Sequence, residues 1–380
     1  MQRISPKIRD YLAGIDESPI LVVDLEEVKR RYQTLTKAIP YATCHYAVKA
    51  NPDPAIVKLL ADMGSSFDAA SAQEIQLCLD SGATPDRILF GNTIKKQSDI
   101  VWAYGKGVRM FVCDSVGEID KLSVAAPGSK IFVRIRVGGE AGAAWPLSKK
   151  FGCTRDVAFE IMVRAREKGL VPYGISFHVG SQQTVVEPHF SAIGLASMVF
   201  DDLEEEGIHL EAIDIGGGFP AQYRDTIPAI EDFAEAITEG IERHFEDRKV
   251  KVLMEPGRYI VADAGVLRAE VVLVSYHKEI NNTRWVYLDI GKFSGLVEAE
   301  AIQYRIVTEK DTGREEDESR VIIAGPTCDS IDVIYEEAEY YLPNNLAVGD
   351  KVYFLSAGAY TTTYSSIGFN GFAPLRCICI

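Results

Sequence analysis

The feature that most constrains this chain is a rhythm. Short strand-like runs end near Lys49, Asp68 (in Ser66-Phe67-Asp68), Asn92 (in Ile88 to Asn92) and Asp114 (in Met110 to Asp114). Four more cover Ile131 to Val137, Gly174 to His178, Ala212 to Gly216 and Val252 to Glu255. The segments between them carry helical spacing: Ile56, Leu59, Leu60 and Met63 fall at i, i+3, i+4 and i+7, and Ile230, Phe233, Ala234, Ile237 and Ile241 repeat the pattern. Gly64, Gly82 and Gly207 stand where helices close. Strand and helix alternating eight times predict an α/β fold, a (β/α)8 TIM barrel. A doubly wound sheet gives the same alternation with fewer strands, so the count favours the barrel.

Ahead of the rhythm, Ile20 to Leu25 reads as a strand and Glu26 to Lys37 as a helix. After about Ala262 helical spacing gives way to alternation: Leu267, Ala269, Val271 and Leu273 share one face, followed by Trp285 to Ile290, Arg320 to Ala324 and Lys351 to Ser356. The expected organisation is an N-terminal segment, 1–20, packing on the β domain; a barrel over 21–262; and a C-terminal antiparallel β domain over 263–380. A barrel carries its chemistry at the C-terminal ends of its strands. Lys49, Asp68, Arg134 or Arg136, His178, the Gly216 turn and Glu255 therefore converge on one face.

Composition narrows the function. A formal net charge of -15 argues against a general nucleic-acid binder and leaves room only for a local anion pocket. Met1 to Pro6 shows no charged-then-apolar leader, and no apolar run approaches membrane-spanning length. Seven cysteines without a CxxC pair suit reduced thiols and a cytoplasmic location. Six histidines without ligand spacing predict no metal site.

Individual motifs carry chemistry of different weight. Lys49 closes the apolar run His45 to Val48, and an amine there costs desolvation unless it has a task or reaches water along its stem. Asp214-Ile215-Gly216-Gly217-Gly218-Phe219-Pro220 follows the seventh run, where bare backbone amides form an anion cradle and where barrels keep phosphate sites. Glu255-Pro256-Gly257-Arg258 ends the eighth run. Arg258 offers bidentate donors to a phosphate and Glu255 a partner for a ring nitrogen; an internal ion pair is equally compatible. His178, in Phe177-His178-Val179-Gly180-Ser181, is either a hydrogen-bonded core residue or the face on which a flat ring stacks, with Ser181 reaching a phosphate. Gly325 to Asp332 carries Cys328 and Asp329, and Gly358 to Thr361 carries Tyr360; a packed thiol and a turn-forming carboxylate remain open there.

Taken together, Tyr46 to Asn51, Phe67 to Ser71, His178 to Ser181, Asp214 to Pro220, Glu255 to Tyr259, Gly325 to Asp329 and Gly358 to Thr361 resemble the motifs of the PLP-dependent ornithine/lysine/diaminopimelate decarboxylase family of the alanine racemase fold, its ornithine decarboxylase branch above all. They come in the family's order and cover nearly the whole chain. The resemblance implies pyridoxal 5'-phosphate (PLP) carried on Lys49, with Glu255 at the pyridine nitrogen. His178 is implied to stack on the ring, supported by Asp68 and Arg134. Gly217, Gly218, Ser181, Arg258 and Tyr360 are implied as phosphate ligands. Cys328 is the family's proton donor at Cα. Asp329 is implied to bind the distal amine of ornithine, and Tyr360 to take part in substrate binding as well as cofactor binding.

By the same resemblance the product is a diamine and CO2, and the protein is a homodimer in which Cys328 and Asp329 reach the partner's cofactor. Asp289 to Glu300 falls where the family keeps a specificity helix. Glu298 is the expected second substrate contact, with Glu300 the competing choice. L-Ornithine to putrescine is the first expectation, with lysine to cadaverine second, because one methylene is worth only about 1–3 kcal/mol in a pocket. Cys328-Asp329-Ser330 departs from the Cys-Glu-Ser loop expected of a diaminopimelate enzyme, and a carboxynorspermidine decarboxylase is the other alternative. A catalytically silent PLP-binding regulatory homologue is the alternative of a different class.

Overall fold

The computed structural model describes residues 4–138, 142–145, 150–278 and 283–380, so Met1, Gln2 and Arg3 of the expected N-terminal segment lie outside the described residues. The chain forms two compact units: Lys29–Pro220 with Ile227–Tyr259, and Met1–Val28 with Ala221–Thr226 and Ile260–Ile380.

The first unit is the barrel. Its strands are β1 (Ala42–Ala47), β2 (Ser66–Ala69), β3 (Ile88–Phe90), β4 (Met110–Cys113), β5 (Lys130–Arg134), β6 (Val171–Ser176), β7 (Ala212–Asp214) and β8 (Lys251–Met254). They close in that order, β8 returning to β1 in parallel at Val252 opposite Ala42. All eight runs of the sequence pattern are present. Inside, Leu89, Val112, Phe132, Tyr173, Ala212 and Leu253 pack as one buried cluster drawn from six strands, so the barrel is a filled core. Gly174 makes room for it, since a Cβ there would stand 2.6 Å from the Phe132 ring.

Register fixes which residues share a level. Ala47, two residues before Lys49, lies opposite Asp68. Arg134 lies opposite Ser176, and Ser176 opposite Asp214. Local sequence sets the helices between. Asp53 caps Pro54–Asp62 by accepting from Ala55 N at 2.9 Å, and Gly64 closes it at φ +89°. Ser71 accepts from Glu74 N while Glu74 accepts from Ala70 N, which opens Ala72–Asp80.

The second unit is built on a nine-stranded sheet. The expectation of an antiparallel domain needs correction, because the sheet is mixed. Thr283–Leu288 runs parallel to Glu318–Ala324, and Ile20–Val23 runs parallel to Arg376–Cys379. The chain between the first two strands makes a long crossover through Ile306–Thr308 instead of a hairpin, which returns it in the same direction. A second correction concerns the strand Ile20–Val23, of which residues 21–23 fall in the expected 21–262 barrel. It pairs with Gly265–His277 and belongs to this sheet.

A third correction is Leu273. Leu267, Ala269 and Val271 are buried, but Leu273 is 47% exposed. The pairing with Thr283–Leu288 shifts register between Val271 and Leu273, and one extra residue flips the alternation. The helix Pro6–Ala13 packs Ile8 and Leu12 against Ile20, Val22, Val266 and Tyr353. Buried Arg268 donates to the carbonyls of Leu12 and Ile15 at 2.8 and 3.0 Å. Among the described residues no helix is long and apolar enough to cross a membrane.

Candidate active site

The site is assembled where the barrel strands end. Lys49 is not on the strand but on the short turn Val48–Ala50 that follows β1. Its side chain is half exposed, and Nζ lies 3.4 Å from Oδ2 of buried Asp68 at the end of β2. The amine is thus held by a carboxylate while its side chain reaches water. The turn is pressed against the β8 loop: Ala47 N donates to Pro256 O at 3.0 Å, and a Cβ on Gly257 would meet Ala50 Cβ at 2.9 Å.

His178 stands two residues beyond β6. Its Nδ1 accepts from Gly180 N at 2.9 Å, so any ring proton sits on Nε2. Burial, then the charges of Arg134 and Lys49, hold the imidazole well below its ordinary pKa, which makes the ring neutral at neutral pH. The two arginines, Arg134 closing β5 and Arg136 two residues beyond it, differ in their surroundings. Arg134 acts on His178 and Asp214, whereas Arg136 is spent on the backbone, its Nη2 donating to Gly152 O at 2.9 Å.

The glycine turn after β7 admits no side chains. A Cβ would lie 2.1 Å from Phe177 O at Gly216, 2.5 Å from Glu255 O at Gly217 and 2.7 Å from Gly180 O at Gly218. Gly216 and Gly218 take φ of +65° and +103°. Glu255 N donates to Gly216 O at 2.7 Å and Gln183 N to Gly218 O at 2.9 Å, whereas the N–H groups of Gly217 and Gly218 have no acceptor among the described residues. Beside the turn, buried Arg258 donates through Nη2 to Ser181 Oγ at 3.1 Å, with its guanidinium 5.1 Å from the Trp145 ring centre. Bare amides and a buried guanidinium are the donor set of a phosphate site.

Three carboxyls gather behind it. Burial raises Asp214 to about 6, assisted by the Asp68 charge and opposed by the Gly216 N–H. Burial pushes Glu255 well above the carboxylate range, and Asp214 and Asp68 push it further. The sequence reading quoted Asp214 within its motif but gave it no role. Its signal was the one shared by Asp68 and Asp114, a carboxyl closing a barrel strand.

The remaining predicted residues lie in the second unit. Cys328 is exposed, with its N and Sγ 3.1 and 3.4 Å from Asn370 Oδ1. Asp329 Oδ1 accepts from Ile331 N at 3.1 Å. Their loop is held by buried Asp332, which accepts from Lys292 N at 2.8 Å and from the Thr327 hydroxyl at 2.7 Å. Tyr360 adopts φ +57° and stacks on Tyr364 at 5.8 Å. The acidic pair differs in exposure: Glu298 is buried in the turn Val297–Glu300, while Glu300 is exposed and pairs with Lys292 at 2.8 Å.

Comparison with known proteins identifies the chemistry. Residues 25–262 match the family described as pyridoxal-dependent decarboxylase, pyridoxal binding domain. The chain belongs to this family. The lysine/ornithine decarboxylase of Selenomonas ruminantium is 35% identical over 374 residues, 97% of this chain and 91% of that protein. Ornithine decarboxylase of Rattus norvegicus is 34% identical over 383 residues, covering 97% and 82%. The solved structure of a lysine/ornithine decarboxylase from Vibrio vulnificus complexed with putrescine has a TM-score of 0.87 and 32% identity, covering 99% of each chain.

This decarboxylase is therefore a PLP-dependent enzyme acting on a basic amino acid. Its own geometry fits the cofactor. The glycine cradle that Cβ atoms would fill, its two free N–H groups and Arg258 suit the phosphate, and Glu255 with its raised pKa suits a cationic ring nitrogen.

Proposed function

We propose that the decarboxylase converts L-ornithine to putrescine and CO2, with lysine to cadaverine as a second activity, in the cytoplasm, where its seven thiols stay reduced. The observation that carries the substrate choice is the Cys328-Asp329 pair on a loop braced by Asp332. A thiol and a carboxylate side by side suit protonation at one end of a diamine and binding of an ammonium at the other. The related lysine/ornithine and ornithine decarboxylases support the same reading.

Bound PLP supplies an electron sink for the pair left when the carboxylate departs. Lys49 Nζ would hold the cofactor covalently. Glu255, crowded by Asp214 and Asp68, keeps a proton on the pyridine nitrogen. Neutral His178 would face the ring, with Asp68 and Arg134 as its supporting neighbours. Gly217 and Gly218 N–H, Ser181 Oγ, Arg258 and the Tyr360 hydroxyl would hold the phosphate. Cys328 Sγ delivers the proton to Cα. Asp329 and Glu298 bind the distal ammonium, with the Tyr360 loop completing the pocket. The functional form is a homodimer in which Cys328 and Asp329 serve the partner's cofactor.

The test is CO2 release from ornithine, lysine, carboxynorspermidine and diaminopimelate by PLP-loaded protein. Ornithine is expected to lead, with lysine behind by the factor of one methylene, about 1–3 kcal/mol. Faster turnover of carboxynorspermidine or diaminopimelate overturns the substrate. A protein that binds PLP and turns over none of them is the silent homologue. Mixing Lys49→Ala with Cys328→Ala subunits is expected to restore activity; no recovery overturns the shared site.

A further inference from the structure

One buried group at the glycine turn has no part in this chemistry. His189 lies fully buried in the helix Glu187–Glu205, with Nε2 3.3 Å from Gly217 O. A carbonyl only accepts, so Nε2 carries the proton, and the bare Nδ1 has no hydrogen-bond partner among the described residues. The ring stacks on Phe219 at 5.4 Å and 22° and meets Phe233 edge-on at 5.8 Å and 85°. Burial holds its pKa down to about 4, so it is neutral at neutral pH. An apolar side chain would fill this space without stranding a polar nitrogen. What the imidazole adds is a hold on one carbonyl.

That carbonyl decides where an amide points. In a trans peptide the C=O and the following N–H face opposite ways. Glu255 N ties back Gly216 O, which aims the Gly217 N–H, and His189 ties back Gly217 O, which aims the Gly218 N–H. Without side chains, and with φ +103° at Gly218, the peptide joining 217 and 218 has no other hydrogen bond among the described residues to fix its plane. We propose that His189 is a positioning residue of the phosphate cradle, holding the Gly217 carbonyl so that the Gly218 N–H faces the bound anion. This rests on the assignment of Gly217 and Gly218 to the cofactor phosphate.

The experiment compares equilibrium binding of PLP with that of pyridoxal, which lacks the phosphate, to cofactor-free protein, together with the 31P resonance of bound PLP. His189→Phe keeps the ring stack and removes the donor; it is expected to bind PLP about tenfold more weakly, the worth of one hydrogen bond, with pyridoxal binding unchanged and the 31P line displaced. His189→Gln, whose amide reaches the same carbonyl, is expected to recover most of the loss. Should His189→Phe fail to fold by circular dichroism, His189→Asn, whose amide is too short, takes its place. Equal weakening of both ligands, or no recovery in His189→Gln, overturns the proposal. Arg258→Gln runs in parallel: if it alone loses the preference for PLP, the cradle stands and His189 does not position it. If neither variant loses that preference, the phosphate assignment itself falls.

Discussion

Buried carboxyls are handled in opposite ways in the two units. In the β unit Asp332 accepts from Lys292 N, Thr327 N and the Thr327 hydroxyl, and Gly291 and Gly325 pack bare backbone against its oxygens. In the barrel, buried Asp214 and half-buried Glu255 lie beside each other and beside Asp68, with few donors and with pKa values driven upward. The difference separates scaffold from site. A carboxylate supplied with donors fixes a loop, whereas carboxyls packed together without enough cations are arranged for a cation still to come.

The largest effect expected to sharpen this contrast is that of Lys49→Ala. It should abolish the absorbance of the PLP–lysine linkage and nearly all CO2 release while thermal unfolding stays in place, since the side chain is half exposed. Asp332→Ala should act the other way round, lowering stability by roughly 1–3 kcal/mol through the donors it orphans, as read from denaturant titration. Its PLP absorbance should persist.

Asp214→Asn probes the crowded set through pH. The folded-state value of Asp214 is raised from 3.8 to about 6, so the native state binds more protons than the unfolded chain across that interval, and this group's contribution falls as pH rises through it. Neutral His178 and buried His189 slope the opposite way below their ordinary value, which makes the difference between variant and parent the quantity to measure. The Asn variant, in cofactor-free form, should gain stability relative to the parent as pH rises from about 4 to about 6 and hold that gain above. A flat difference would break the contrast. Glu300→Gln should be smallest, below about 1 kcal/mol and without a KM change. A raised KM is expected of Glu298→Gln instead.

The barrel was legible because each strand announces itself locally, and parallel closure then puts every strand end on one face. The preference for Arg134 over Arg136 rests on family register, since both sit on one run; in space their surroundings differ. The mixed sheet was less legible. Alternation reveals that Thr283–Leu288 is a strand but not which way its neighbour runs, and the slip at Leu273 depends on a partner strand. Asp214 was visible as a strand-end carboxyl yet unread. His189 carried no signal at all, because its role depends on a carbonyl 28 residues away in sequence.

The strand Ile20–Val23 lies between Gly265–His277 and Arg376–Cys379, in a unit gathered from three stretches of chain. During synthesis this imposes an order of assembly. Every barrel segment has been made by Tyr259, while the early strand must stay unpaired until residues beyond 264 emerge and half-paired until residues 376–379 follow. At about 5–20 residues per second that delay is on the order of tens of seconds. Over that time an apolar strand edge stands open to neighbouring chains on the same message, and a chaperone has its natural point of purchase.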